Sequence, residues 1–110
     1  MVTDQRKNAR ATFKTEIWLG QDGIFTRTAL FLKDLSEGGA FVETTQLFPV
    51  GTILNFRFKL PTVTQPISCS VSVRNHRNGT GLGVQFLDIS SDDRLRLHSF
   101  LTTWVFTSAV

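Results

Sequence analysis

Two short runs hold the side chains best suited to chemistry: RKNAR at residues 6–10 and DLSEGG at residues 34–39. The first spaces Arg6 and Arg10 by three residues. The second sets Asp34, Ser36 and Gly39 in the order D-x-S-x-x-G. A guanidinium is a planar fork that meets phosphate oxygens or a base edge bidentately, and its flat face stacks on a ring. An ionised Asp only accepts hydrogen bonds, whereas a Ser hydroxyl donates or accepts. Glycine lets backbone approach where a Cβ would clash, which applies to Gly38 as well as Gly39. These are tools for holding a ligand. Each run also has a plainer reading: a solvated basic tail, and a loop whose Asp and Ser bond their own backbone. Taken singly, each is better explained by the plainer reading.

The rest of the chain must position these runs. Residues 1–11 carry almost no large apolar side chains, so they are expected to form a flexible arm. From Thr12 to Leu19 polar and apolar positions alternate, with Phe13, Ile17 and Leu19 on one face and Lys14, Glu16 and Trp18 on the other. That is a strand. GQDG (20–23) reads as a hairpin turn, and 24–33 as the returning strand. DLSEGG interrupts the ladder before a short strand over 40–43.

In ILNFRFKL (53–60), Leu54, Phe56, Phe58 and Leu60 share the inward parity. Ile67, Cys69, Val71 and Val73 alternate with three serines and Arg74. NHRNGTG reads as a loop, followed by a last strand over 82–89. The period then changes. Ser90 or Ser91 can cap a helix that has Asp92 and Asp93 in its first turn. Leu97, Phe100, Leu101, Trp104 and Val105 form one helical stripe over about 91–107. The pattern predicts an all-β domain with one terminal helix: a small six-stranded antiparallel β-barrel closed by a C-terminal α-helix.

Composition fits this reading and removes others. Hydrophobic residues are 41% and charged residues 19%, which suits a folded globular domain rather than a disordered one. A net charge of +3 permits an anionic ligand, but no basic run points to nucleic acid. The N-terminus lacks the apolar segment of a secretory signal, and no stretch is apolar enough to span a bilayer. A cytoplasmic location without membrane insertion is therefore expected. Cys69, the one cysteine, is read as a buried structural thiol. His76 and His98 stand apart, so no metal site is expected. GTGLG (79–83) leads into a strand rather than a helix and is read as a hairpin turn, not a dinucleotide loop. Ser36 lies in no nucleophile elbow, so an enzyme is not expected.

Together the two runs say more than either alone. R-x-x-x-R, then a hairpin, then D-x-S-x-x-G, followed by GLGVQF and a closing helix, resembles the PilZ family of cyclic di-GMP receptors. The resemblance covers almost the whole chain, and all five motif residues are present: Arg6, Arg10, Asp34, Ser36 and Gly39. It implies a barrel of the split-barrel type over 12–110, preceded by the arm over 1–11. It also implies cyclic di-GMP as the ligand, with no other cofactor.

The chemistry agrees with that ligand. Guanine offers O6 and N7 to an arginine fork, and its N1–H and N2 amino donors suit a carboxylate. Asp34, Ser36 and Gly39 would form a fixed floor and Arg6 and Arg10 a mobile clamp. The family binds the ligand singly or as a stacked pair. Gln5, the residue before the arginine motif, leans the reading toward one ligand per chain. Arg74 and Arg77 are further candidates, with exposed outer-face arginines as the plainer alternative.

The expected role is a single-domain receptor, monomer or dimer, that signals to an unidentified downstream protein in motility, biofilm or exopolysaccharide control. The first alternative is a PilZ-like adaptor that binds no nucleotide and acts through protein contacts. The next is a nucleic-acid-binding barrel, which would need the phenylalanines of NFRFKL exposed.

Overall fold

The computed structural model describes residues 11–21, 24–44, 46, 48–61, 65–77 and 80–108, and of 24–31 and 105–108 the backbone only. The alternating segments become β1 (Ala11–Gln21), β2 (Ile24–Leu35), β3 (Gly39–Glu43), β4 (Ile53–Phe58), β5 (Ile67–His76) and β6 (Gly81–Phe86). One helix follows, α1 (Ser91–Ser108). All strand pairs are antiparallel, and the order β1-β2-β3-β6-β5-β4 closes on itself as a barrel. The expected fold class is therefore the observed one.

Inward parity decides the core. Ile17 stands opposite Phe58, Leu19 opposite Phe56, and Leu54 opposite Val71, and all six are buried. Phe56, Phe58 and Phe86 cluster inside the barrel at centroid distances of 5.3–6.3 Å, with Phe58 stacked on Phe86. The phenylalanines of NFRFKL are thus core residues and not a platform for bases. On the outer face Trp18 stays half-buried, with the Arg57 guanidinium 6.0 Å from its ring centroid. Burial and the neighbouring Asp88 carboxylate push the half-buried Cys69 thiol up to about 12, so it stays protonated across the neutral range.

β1 begins at Ala11, one residue before the strand that alternation alone predicts. Ala11 pairs with Leu35 and is only 1% exposed, so tertiary pairing recruits a residue with little strand preference. β2 likewise runs on to Leu35. At the other end Ser90 caps α1: its Oγ accepts from the Asp93 N–H at 3.1 Å. Leu97, Phe100 and Leu101 are buried, and Phe100 and Trp104 gather around Phe13 of β1 at centroid distances of 5.5 and 6.0 Å. No helix among the described residues is long and apolar enough to cross a membrane.

Candidate ligand-binding site

The DLSEGG run lies where β2 leaves one partner and β3 meets the next. Ala11 pairs with Leu35 but Phe13 pairs with Leu32, so Lys33 and Asp34 together face Thr12. That extra residue is a β-bulge, and bulges re-aim side chains. Asp34 has φ 51°, the only positive φ of a non-glycine among the described residues. Asp tolerates this left-handed backbone better than most residues. The Asp34 N–H donates to Thr12 Oγ1 at 3.3 Å, which ties the bulge to β1.

Beyond it the loop is tightened by Ser36. The Ser36 N–H and Oγ both reach the Gly39 carbonyl, at 2.9 and 3.3 Å, and the Gly38 N–H donates to Ser36 Oγ at 3.4 Å. The self-bonding loop is therefore present. Gly39 stands opposite Gln85 in β6, and a Cβ there would overlap the Val84 carbonyl oxygen. The close approach that needs glycine at 39 is thus this chain's own backbone. At Gly38 a Cβ would meet nothing within 4 Å, so the predicted clash does not arise within the protein.

Asp34, Ser36 and Gly39 line one open cavity of about 240 Å³. Its far side is β5, where a second bulge occurs. Val73 pairs with Val84 and Asn75 with the next residue, Gly83, so Arg74 is the extra residue. Broken alternation lets the consecutive residues Arg74 and Asn75, together with Arg77, line the same cavity. Arg74 is both exposed on the outer face and part of the wall, with Nη1 donating to Gln85 Oε1 at 3.0 Å. The lining carries two guanidinium groups and one carboxylate among the described residues, a balance that favours an anion. Gly38 is not among the lining residues.

Gln5, Arg6 and Arg10 lie outside the described residues. The register still bears on them through chain connectivity. Ala11, to which Arg10 is joined, pairs with Leu35, next to Asp34. Four residues lie between Arg6 and Ala11, so five chain steps give a reach of at most about 18 Å. His98, which stands alone in sequence, pairs through Nδ1 with Glu37 Oε2 at 2.6 Å, linking α1 to the middle of the motif loop.

Reasoning from sequence did not single out Asn75 or Phe41, and both line the cavity. Phe41 has the parity of a core phenylalanine. Asn75 falls just past a bulge that no residue type announces.

A family model, the PilZ domain, matches residues 4–103. The chain belongs to the PilZ domain family. PilZ domains are binding and regulatory modules, and the matched span includes both runs. Among solved structures, the Bacillus subtilis inhibitor of motility (MotI/DgrA) is similar, with a TM-score of 0.73 and 16% sequence identity. The likeness covers 90% of this chain and 50% of that one, so the chain spans about half the length of that protein. At this identity the similarity concerns the PilZ fold. No curated protein matches the chain significantly.

Proposed function

We propose that this PilZ domain is a receptor for cyclic di-GMP, a binding module rather than an enzyme. Asp34, Ser36 and Gly39 form the floor, and Arg6 and Arg10 close over the ligand. The observation that carries this reading is the convergence of the three described motif residues on one cavity, beside the strand that continues from Arg10. Ser36 then has two duties, holding its loop and facing the ligand. The cavity falls below the roughly 300–1,000 Å³ of typical small-molecule sites, so it holds part of a dinucleotide. A covering segment is needed for the rest, and the arginine run stands next in the chain. Gln5 before that run favours one ligand per chain.

The bound state is read by a downstream protein, through the changed surface that arm closure creates. A role in motility control is supported only by analogy with MotI/DgrA, whose printed name is inhibitor of motility. The cell interior, where this second messenger acts, is the corresponding location.

The test is titration calorimetry with cyclic di-GMP at physiological salt, with GTP as control. Saturable binding selective over GTP is expected, at one ligand per chain. No heat and no thermal shift would sink the receptor reading in favour of an adaptor working through protein contacts alone.

A further inference from the structure

The cavity wall formed by the end of β5 belongs to neither motif and is held by turn hydrogen bonds of its own. The Arg77 N–H donates to the Gly81 carbonyl at 3.2 Å, and its own carbonyl accepts from the Thr80 N–H at 2.8 Å. These bonds close the β5–β6 turn around the Arg77 backbone. Its guanidinium carbon lies 4.7 Å from the centroid of the Phe41 ring. Phe41 is 5% exposed, and its ring lies where Gly81 has no side chain: a Cβ at 81 would sit 2.7 Å from ring atoms Cε2 and Cζ. Asn75 uses the neighbouring glycine in the same way, since a Cβ at Gly83 would lie 2.5 Å from its Oδ1. Two glycines of GTGLG thus seat two side chains of the wall.

Arg77 is itself exposed, and among the described residues no carboxylate forms an ion pair with it. A guanidinium has two flat faces. With the Phe41 ring 4.7 Å from the guanidinium carbon on one side, a planar partner can meet this exposed group from the other side. Plane-on-plane stacking on a π-system is open to arginine and not to lysine, whose ammonium meets a ring only as a point charge.

We propose that Arg77, seated on Phe41, is a third ligand-binding arginine of this site, stacking on a purine base of the bound nucleotide. The base then completes a three-layer stack of Phe41, Arg77 and purine. This rests on the receptor reading and adds to it a platform that both motifs omit. The platform is fixed by the barrel, unlike a pair of arginines brought in by an arm.

The experiment is calorimetric titration of cyclic di-GMP into the unaltered protein and into Arg77→Ala, Arg77→Met and Arg77→Lys, with melting temperatures measured alongside. Arg77→Met keeps an apolar stem over Phe41, so it preserves the fold if Arg77→Ala exposes that ring. The unaltered protein is expected to bind, with Ala and Met each weakening binding about tenfold. Lys should weaken it nearly as much, because it keeps the charge and loses the plane. Equal binding by all four proteins overturns the Arg77 assignment and leaves the receptor reading standing. Full binding by the Lys variant, with loss in Ala and Met, overturns the stacking role in favour of simple charge. Absence of binding by the unaltered protein overturns both.

Discussion

Asp34 couples conformation to chemistry in a single residue. Its left-handed φ and its position on a bulge bring a carboxylate to the cavity from a strand whose regular course would not. Asn shares the tolerance for that backbone but not the charge, so Asp34→Asn separates the two. We expect D34N to melt at the unaltered temperature and to bind cyclic di-GMP at least about tenfold more weakly, as a charged acceptor facing guanine donors is lost. Calorimetry with undiminished affinity would remove Asp34 from the site. Gly39 makes the opposite prediction. A Cβ there collides with the Val84 carbonyl oxygen and not with a side chain that can move aside. Gly39→Ala should therefore lower stability by about 2 kcal/mol or more, measured by urea denaturation without ligand. An unchanged midpoint would mean that β3 and β6 can part cheaply. Asp34, Ser36 and Gly39 were legible only in combination with the arginine run, because their order alone also suits an ordinary self-bonding loop. Phe41 was hidden among ten phenylalanines, its parity that of any core ring.

Elements explain both what alternation revealed and what it concealed. The strands were legible because each buries one face, and a period of two records that burial directly. The helix was legible because its first turn offers a serine cap, two acids and then an apolar stripe. Ser90→Ala should cost about 1 kcal/mol of stability, with circular dichroism still showing the helix, since the Asp93 N–H loses its acceptor. A loss near zero would mean that Ser91 or solvent replaces the cap. Neither bulge was legible. A register shift depends on which residue of the partner strand stands opposite, and one strand's sequence holds no record of its partner. That is why Arg74 stood in the sequence between site candidate and outer-face arginine, and NHRNGTG read as a loop from Asn75, whereas β5 continues to His76 and turns its end into a cavity wall. The contact between His98 and Glu37 was hidden for the same reason, its partners being 61 residues apart.

At the scale of the molecule, the barrel brings one part of the proposed site together, and the receptor reading assigns the other part to the arginine run ahead of β1. Asp34 and Arg74 lie on strands of one closed barrel, and Ser36 and Arg77 come directly after the ends of those strands, tied by turn hydrogen bonds. A cavity of about 240 Å³ has room for only part of a cyclic dinucleotide, and the start of β1 emerges beside Asp34. The proposed closure of the arginine run therefore has a definite signature. Amide exchange of residues 5–11 should slow on addition of cyclic di-GMP, while β4 and β5 in the barrel wall keep their rates. Replacing Arg10 by Ala should weaken binding more than tenfold, about 2 kcal/mol for truncating one partner of a charged, hydrogen-bonded pair. Its melting temperature should hold, because residues 1–10 offer only Met1, Val2 and Ala9 as apolar side chains. The two measurements constrain each other. Slowed exchange with undiminished affinity in Arg10→Ala would mean that the arm orders without gripping the ligand. Lost affinity with flat exchange would mean that Arg10 acts in a conformation already present before binding. Only slowed exchange that disappears along with affinity in the variant supports closure, because then the ordering of the arm and the hold on the ligand are one event.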